Sequence, residues 1–159
     1  MNDKQDQDLR LTGYQTNKLQ ELLAEMHDCC KERIFYQAHS FDLLVSELKT
    51  ILLFEDRKYL TCIEIANRLE VAKSRATVII DGLVNKVLVA RAADPNDARV
   101  KLISLTATGL KKMLEIDEFI FEIHFKLLNK IDPSQRAGVI SAIETLRTAM
   151  ESMRETYRQ

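Results

Sequence analysis

The sequence predicts a mainly α-helical fold that carries one β-hairpin, and three observations predict it. Apolar residues recur at three- and four-residue steps along most of the 159 residues, and only four Gly and two Pro interrupt them. Between Thr61 and Gly109, a short helix, a second helix, a Pro-turn hairpin and a helix start follow without a gap. The C-terminal stretch spaces Val139, Ile143, Leu146, Met150, Met153 and Tyr157 by 4, 3, 4, 3 and 4 residues, the 3.5-residue repeat of a helix packed lengthwise on another. This order is that of a winged helix-turn-helix flanked by long N- and C-terminal helices that form a dimerisation region. Such an arrangement suits insertion of one helix into the major groove of DNA. A single domain over residues 1–159 is expected, with the winged core at about 40–109 and dimerisation helices at about 9–38 and 107–159.

Each element has a local cause. Residues Tyr14 to about Gln37 read as a long first helix, because Leu19, Leu22, Leu23, Met26, Cys30, Arg33 and Ile34 repeat at helical steps. Ser40 is placed to cap a second helix from Phe41 to about Phe54, with Leu44, Leu48, Ile51 and Leu52 inward. The charged run Glu55-Asp56-Arg57-Lys58 breaks that pattern and reads as a loop. Thr61 and Glu64 have the spacing of a capping box, and the helix they open turns Ile65, Ala66 and Leu69 inward. A turn at Glu70-Val71-Ala72 leads to a helix over Lys73 to Lys86. Its Ala76, Ile79, Ile80 and Leu83 face a core, while Ser74, Thr77, Val78 and Asp81 fall on the opposite face. Val87 to Ala92 and Arg99 to Leu105 are strand-like around the turn Asp94-Pro95-Asn96-Asp97. Thr106 caps a long helix to about Lys130, and Asp132-Pro133-Ser134-Gln135 supplies the N-cap, N1 proline and N3 glutamine of the last one.

Composition bounds the function. No apolar run approaches the ~20 residues of a membrane span, and the polar stretch Met1 to Arg10 lacks the apolar segment of a signal peptide. A cytoplasmic protein with no membrane partner is expected. The net charge of −1 hides an uneven distribution: residues 57–101 carry nine Lys and Arg against five Asp and Glu, and the remainder carries 14 against 19. Basic charge therefore gathers in the segment that would meet phosphates. Cys29, Cys30 and Cys62 show no zinc-type spacing, so neither a metal nor a cofactor is expected. They read first as reduced, partly buried thiols; a redox-sensing role for Cys29 and Cys30 needs a lowered pKa and exposure. Gly-rich phosphate loops, a Gly-x-Ser-x-Gly elbow, a His-Glu-x-x-His motif and paired catalytic carboxylates are all missing, and His27, His39 and His124 sit on separate stretches. Enzymatic activity is not expected.

The stretch Leu60 to Gly109 resembles the multiple antibiotic resistance regulator (MarR) family of transcription factors. The matching residues are Leu69-x-Val71, Asp81-x-Leu83, Leu88-Val89-x-Arg91, Asp94-x-x-Asp97-x-Arg99 and Ser104-Leu105-Thr106-x-x-Gly109. The resemblance implies a homodimer held by helices from both termini, binding a palindromic operator in double-stranded DNA. One helix per subunit would enter the major groove and each wing arginine would reach toward a minor groove. Members are mostly cytoplasmic repressors, and many release DNA on binding a small aromatic acid or on thiol oxidation. Three departures bear on affinity and operator preference more than on fold. Val87 stands where the family often has glycine, Gly82 where a basic residue is common, and Asn96 with Ala98 where the wing is often richer in arginine.

Candidate DNA-binding residues are Lys73, Ser74, Arg75, Thr77, Val78, Arg99 and Lys101. Arg75 and Lys73 open the reading helix, where a bidentate Arg–guanine contact is worth ~1–3 kcal/mol of discrimination. Ser74 and Thr77 can donate to phosphates or bases, with local capping as the plainer role of Ser74. Val78 suits a thymine methyl. By carry-over from the family, Arg99 is the minor-groove residue; the plainer role is an ion pair with Asp94 or Asp97 that braces the wing, and the two are compatible. Lys101 and Arg91 read as phosphate contacts or as solvated charges. Tyr36, His39 and Phe41 cluster where the first two helices meet and are candidates for an aromatic carboxylate effector, with core packing as the alternative. Two rival readings remain: a winged-helix protein-interaction module without specific DNA binding, and a thiol-based redox-sensing regulator.

Overall fold

The computed structural model describes residues 3–95, 97 and 99–157. Among the described residues, six helices and three strands follow in the order α1 (Asp3–Ser40), α2 (Val45–Leu52), β1 (Leu60–Thr61), α3 (Cys62–Leu69), α4 (Lys73–Asn85), β2 (Val89–Ala93), β3 (Lys101–Leu105), α5 (Ala107–Asn129) and α6 (Pro133–Tyr157). The strands form an antiparallel sheet in the order β1-β3-β2, with Leu60 opposite Ile103 and Val89 opposite Leu105. The expected mainly helical winged helix is the observed fold. The chain divides into two compact units at Ile116 and Asp117.

The core of the first unit is made by Leu48, Ile51, Leu60, Ile65, Ile80, Leu83, Ile103 and Ile116, all fully buried. Branched aliphatic residues from α2, α3, α4, the sheet and α5 thus meet in one interior, which fixes α3 and α4 as the helix-turn-helix pair. Glu70 makes the sharp turn between them in the left-handed conformation, φ 55°. The α3 cap is as the spacing predicts. The Thr61 hydroxyl accepts the Glu64 N–H at 3.2 Å, and the Glu64 carboxylate accepts the Thr61 N–H at 2.7 Å. Thr106 likewise caps α5, accepting the Gly109 N–H at 2.9 Å, while its own hydroxyl donates to the Val87 carbonyl at 2.7 Å. That second bond ties the start of α5 to the residue that follows the C-cap of α4.

Several expectations are corrected. Ser40 does not cap the second helix: it is the last residue of α1, and its hydroxyl donates to the Tyr36 carbonyl at 2.9 Å. The chain turns at Asp42 (φ 55°), so α2 begins only at Val45. Its N-cap, Leu44, is exposed instead of inward, because an N-cap residue lies outside the helical phase that Leu48 and Ile51 follow. Glu47 and Thr50 are buried beside those two. Leu69 is half-buried. The strands are shorter than expected: Val87 and Leu88 precede β2, and Arg99 and Val100 lie in the turn before β3. The two-residue β1 was not predicted. The wing positions Asn96 and Ala98 lie outside the described residues.

The second unit holds the C-terminal part of α5 and all of α6. Asp132 caps α6 by accepting the Ser134 N–H at 2.9 Å, with Pro133 as its first residue, as the spacing predicts. Phe121 and Phe125 stack at 6.2 Å between centroids. In this unit Ile143, Met150 and Met153 of the expected seam are exposed, and Val139 and Leu146 are half-buried. The side chain of Tyr157 lies outside what is described. In the first unit, α1 exposes Leu19, Leu22 and Met26 of its expected inner face. No helix among the described residues is long and apolar enough to cross a membrane.

Candidate nucleic-acid interface

Helix α4 presents its candidate residues because its other side is anchored. Ala76, Ile79, Ile80 and Leu83 are buried, so Lys73, Ser74, Arg75, Thr77 and Val78 are left exposed at the N-terminal half. Val78 is 59 % exposed, more than a core role would leave it. The helix starts differently from α3: its N-cap is Ala72, with no side-chain hydrogen bond and no acidic residue in the first turn. Ser74 is the second residue of the helix and not its cap. The first amides of α4 are thus offered no partner from a capping side chain. Two cations, Lys73 and Arg75, sit at the positive end of the helix dipole, a placement that costs about 0.3–1 kcal/mol each when no anion is near. The arrangement is unfavourable for the free helix and favourable for a helix that meets phosphate.

A groove of about 680 Å³ runs between α3, the first turn of α4 and the wing, and Lys73, Thr77, Arg91, Arg99 and Lys101 line it together with Cys62 and Ile63. Four of the candidates, Lys73, Thr77, Arg99 and Lys101, are therefore brought to one place. Ser74, Arg75 and Val78 do not join them. Arg75 lies on the flank toward α2, where it lines a second hollow with Phe35, Lys49 and Val71. The Thr77 hydroxyl donates to the Lys73 carbonyl at 3.0 Å and lies 3.5 Å from the Cys62 thiol. Arg99 reaches outward: its side chain is 94 % exposed, and its guanidinium lies 3.4 Å from the Asp97 carboxylate. The Arg99 N–H also donates to Asp97 at 3.0 Å, so Asp97 shapes the turn more than it holds the guanidinium.

Arg91 has a place that periodicity alone does not reveal. Its guanidinium pairs with Asp81 at 2.7 Å, bridging the outward face of α4 to strand β2 of the wing. The pair orients Arg91 along the groove wall and sets a carboxylate beside it. A candidate signal is the Asp81-x-Leu83 and Leu88-Val89-x-Arg91 pattern itself, since Leu83, Leu88 and Val89 are buried and fix the faces on which Asp81 and Arg91 stand.

The effector candidates are less assembled. Tyr36 and His39 are exposed, and Phe41 is half-buried with the Lys112 ammonium 5.5 Å from its ring centroid. The hollow between α1 and α2 is lined instead by His27, Cys30, Lys31, Ile34, Phe35, Val45 and Lys49. Cys29 and Cys30 are exposed, and Cys62 is half-buried. Among the described residues no group of His, Cys, Asp and Glu could hold a metal ion.

Residues 45–101 match the model of the MarR family, from the start of α2 through the wing to the first residue of β3. The fold is MarR-type. A mutant of the Staphylococcus aureus regulator MepR is 19 % identical, with a TM-score of 0.75 over 81 % of this chain and 96 % of that one. YusO from Bacillus subtilis is 23 % identical, with a TM-score of 0.72 over 84 % and 95 %. A second MepR mutant, bound to an oligodeoxyribonucleotide, is 18 % identical, with a TM-score of 0.61 over 81 % and 95 %. No curated protein sequence matches the chain.

Proposed function

We propose that this chain is a sequence-specific DNA-binding transcriptional regulator, a cytoplasmic repressor that binds a palindromic operator as a homodimer. The observation that carries the reading is the uncapped, acid-free start of α4, where Arg75 is exposed on one flank and Lys73 on the other enters a groove walled by Arg91, Arg99 and Lys101. Arg75 and Val78 read base edges, Lys73, Ser74 and Thr77 hold phosphate or bases, Lys101 contacts the backbone, and Arg99 reaches a minor groove. The MepR mutant of like fold holds an oligodeoxyribonucleotide, which supports DNA as the partner class here. Exposed Leu19, Leu22 and Met26 on α1 and Ile143, Met150 and Met153 on α6 are the apolar faces a second copy would cover. A small aromatic acid acting near Tyr36, His39 and Phe41 relieves repression, with Lys112 as the nearby cation.

Footprints of the wild type and two variants test the assignment. Arg75→Ala loses most of the preference for a bound site over its scrambled version, by roughly five- to hundred-fold if one bidentate contact is removed. Arg99→Ala weakens binding to both duplexes. Unchanged preference in the Arg75 variant contradicts the role given to that residue.

A further inference from the structure

Glu47 is charged by nature and only 3 % exposed, a combination that requires partners. Its Oε2 accepts the Leu44 N–H at 2.8 Å and the Lys86 ammonium at 2.9 Å. Lys86 also donates to the Asp42 carbonyl at 2.6 Å, in the turn that joins α1 to α2. The other carboxylate oxygen lies against Gly82, where a Cβ would stand only 2.6 Å from it. Lys86 is the C-cap of α4, and Gly82 lies one turn before it.

Each choice taken alone is unfavourable or unexplained. Glycine inside a helix is disfavoured against alanine, and a buried carboxylate is disfavoured against an apolar side chain. Together they make one contact: removing the Cβ at position 82 admits the carboxylate, and the carboxylate then holds the end of α4 and the start of α2 at the same atom. An apolar contact would tolerate sliding, whereas a shared hydrogen-bonded ion pair has one register.

We propose that Glu47, Gly82 and Lys86 form a positioning lock that fixes the far end of the reading helix on the α1–α2 turn, and so sets the angle at which Arg75 and Val78 meet base pairs. The lock rests on the DNA-binding reading above, which it deepens. It also gives position 82 a purpose other than a phosphate contact: the small residue there serves the interior side of α4.

The test uses the full chain, a duplex selected by the wild type from a random pool, and its scrambled version. Gly82→Ala, the isosteric Glu47→Gln and Lys86→Met are first shown folded by circular dichroism at the assay temperature. Each is expected to lower the ratio of selected to scrambled affinity by roughly five- to hundred-fold, the loss of about one base contact. Combining Gly82→Ala with Glu47→Asp, which withdraws the carboxylate by one methylene, is expected to recover part of that ratio. A residue that merely stabilises the fold would change the melting temperature and leave the ratio alone. Folded variants, the isosteric one included, that discriminate as well as the wild type overturn the lock while leaving the DNA reading intact. A wild type that selects no duplex overturns the DNA reading first, and the lock's purpose with it.

Discussion

Alanine at Gly109 sets two effects against each other. A methyl there would lie 1.9 Å from the Leu88 carbonyl oxygen, 2.9 Å from its carbon and 3.3 Å from Leu105 Cδ2. Close carbon–oxygen contacts end near ~3.3 Å, so the first turn of α5 and the α4–β2 junction must part by more than ~1 Å. The same Leu88 oxygen accepts the Thr106 N–H at 3.1 Å and the Thr106 hydroxyl at 3.3 Å, and both bonds would be strained by the parting. Helix propensity favours alanine over glycine by at most ~1 kcal/mol. Forcing a group into packed backbone costs ~1–3 kcal/mol or more, and each weakened hydrogen bond adds up to ~1 kcal/mol. The clash wins, and Gly109→Ala is expected to destabilise by ~2–3 kcal/mol. For a chain of this size that is a fall of roughly 5–10 °C in melting temperature. Gly13 and Gly138 have nothing within 4 Å of the same added atom, so alanine there should stabilise by up to ~1 kcal/mol. Thermal and urea unfolding of the three variants decide the matter. A Gly109→Ala protein as stable as the wild type would refute the close-approach argument.

Other perturbations follow from named contacts. Val87 is β-branched and holds φ 58° while 62 % exposed, so Val87→Gly should stabilise by ~1 kcal/mol, read as a rise in the urea midpoint. Asp81→Asn removes the carboxylate that pairs with Arg91 and frees that groove-lining cation; affinity for random duplex should rise and its salt dependence steepen by up to about one phosphate contact per subunit. Weaker binding would contradict that role for Asp81. The hydrogen bonds from the Thr61 N–H and hydroxyl, aided by Arg57 and Arg68, hold the Glu64 carboxyl below its ordinary range. A depressed pKa in the folded state means that the stabilisation is present above the unfolded value of about 4.3 and is lost as pH falls through the folded one. The stability gap between wild type and Glu64→Ala should therefore be full at pH 7 and close in acid, and a gap that persists unchanged there would contradict it.

What was legible in the sequence was local. Thr61 with Glu64, Thr106 with Gly109 and Asp132 with Ser134 satisfy amides two or three residues away, so side-chain type and spacing suffice to place α3, α5 and α6. The inward stripe of α4 was equally readable, since Ala76, Ile79, Ile80 and Leu83 are all buried. The start of α2 was not. Ser40 has the chemistry of a cap, but the amide at that end is satisfied from within the helix by Glu47, after a left-handed turn at Asp42, a residue type that tolerates this conformation without dictating it. Strand β1 exists only because Leu60 and Thr61 pair with residues of β3 far along the chain. The Asp81–Arg91 bridge and the contact of Glu47 with Gly82 are equally products of tertiary geometry. Composition and spacing placed the cations in one segment; only the fold separates Arg75 on one flank of α4 from the Lys73 and Arg99 groove on the other.

Selection of bound duplexes from a random pool asks most directly whether the exposed half of α4 reads sequence. Enrichment of inverted half-sites with centres about one helical turn apart, ~34–36 Å, lost on Arg75→Ala, is the predicted result. A pool that emerges as random as it entered would contradict it.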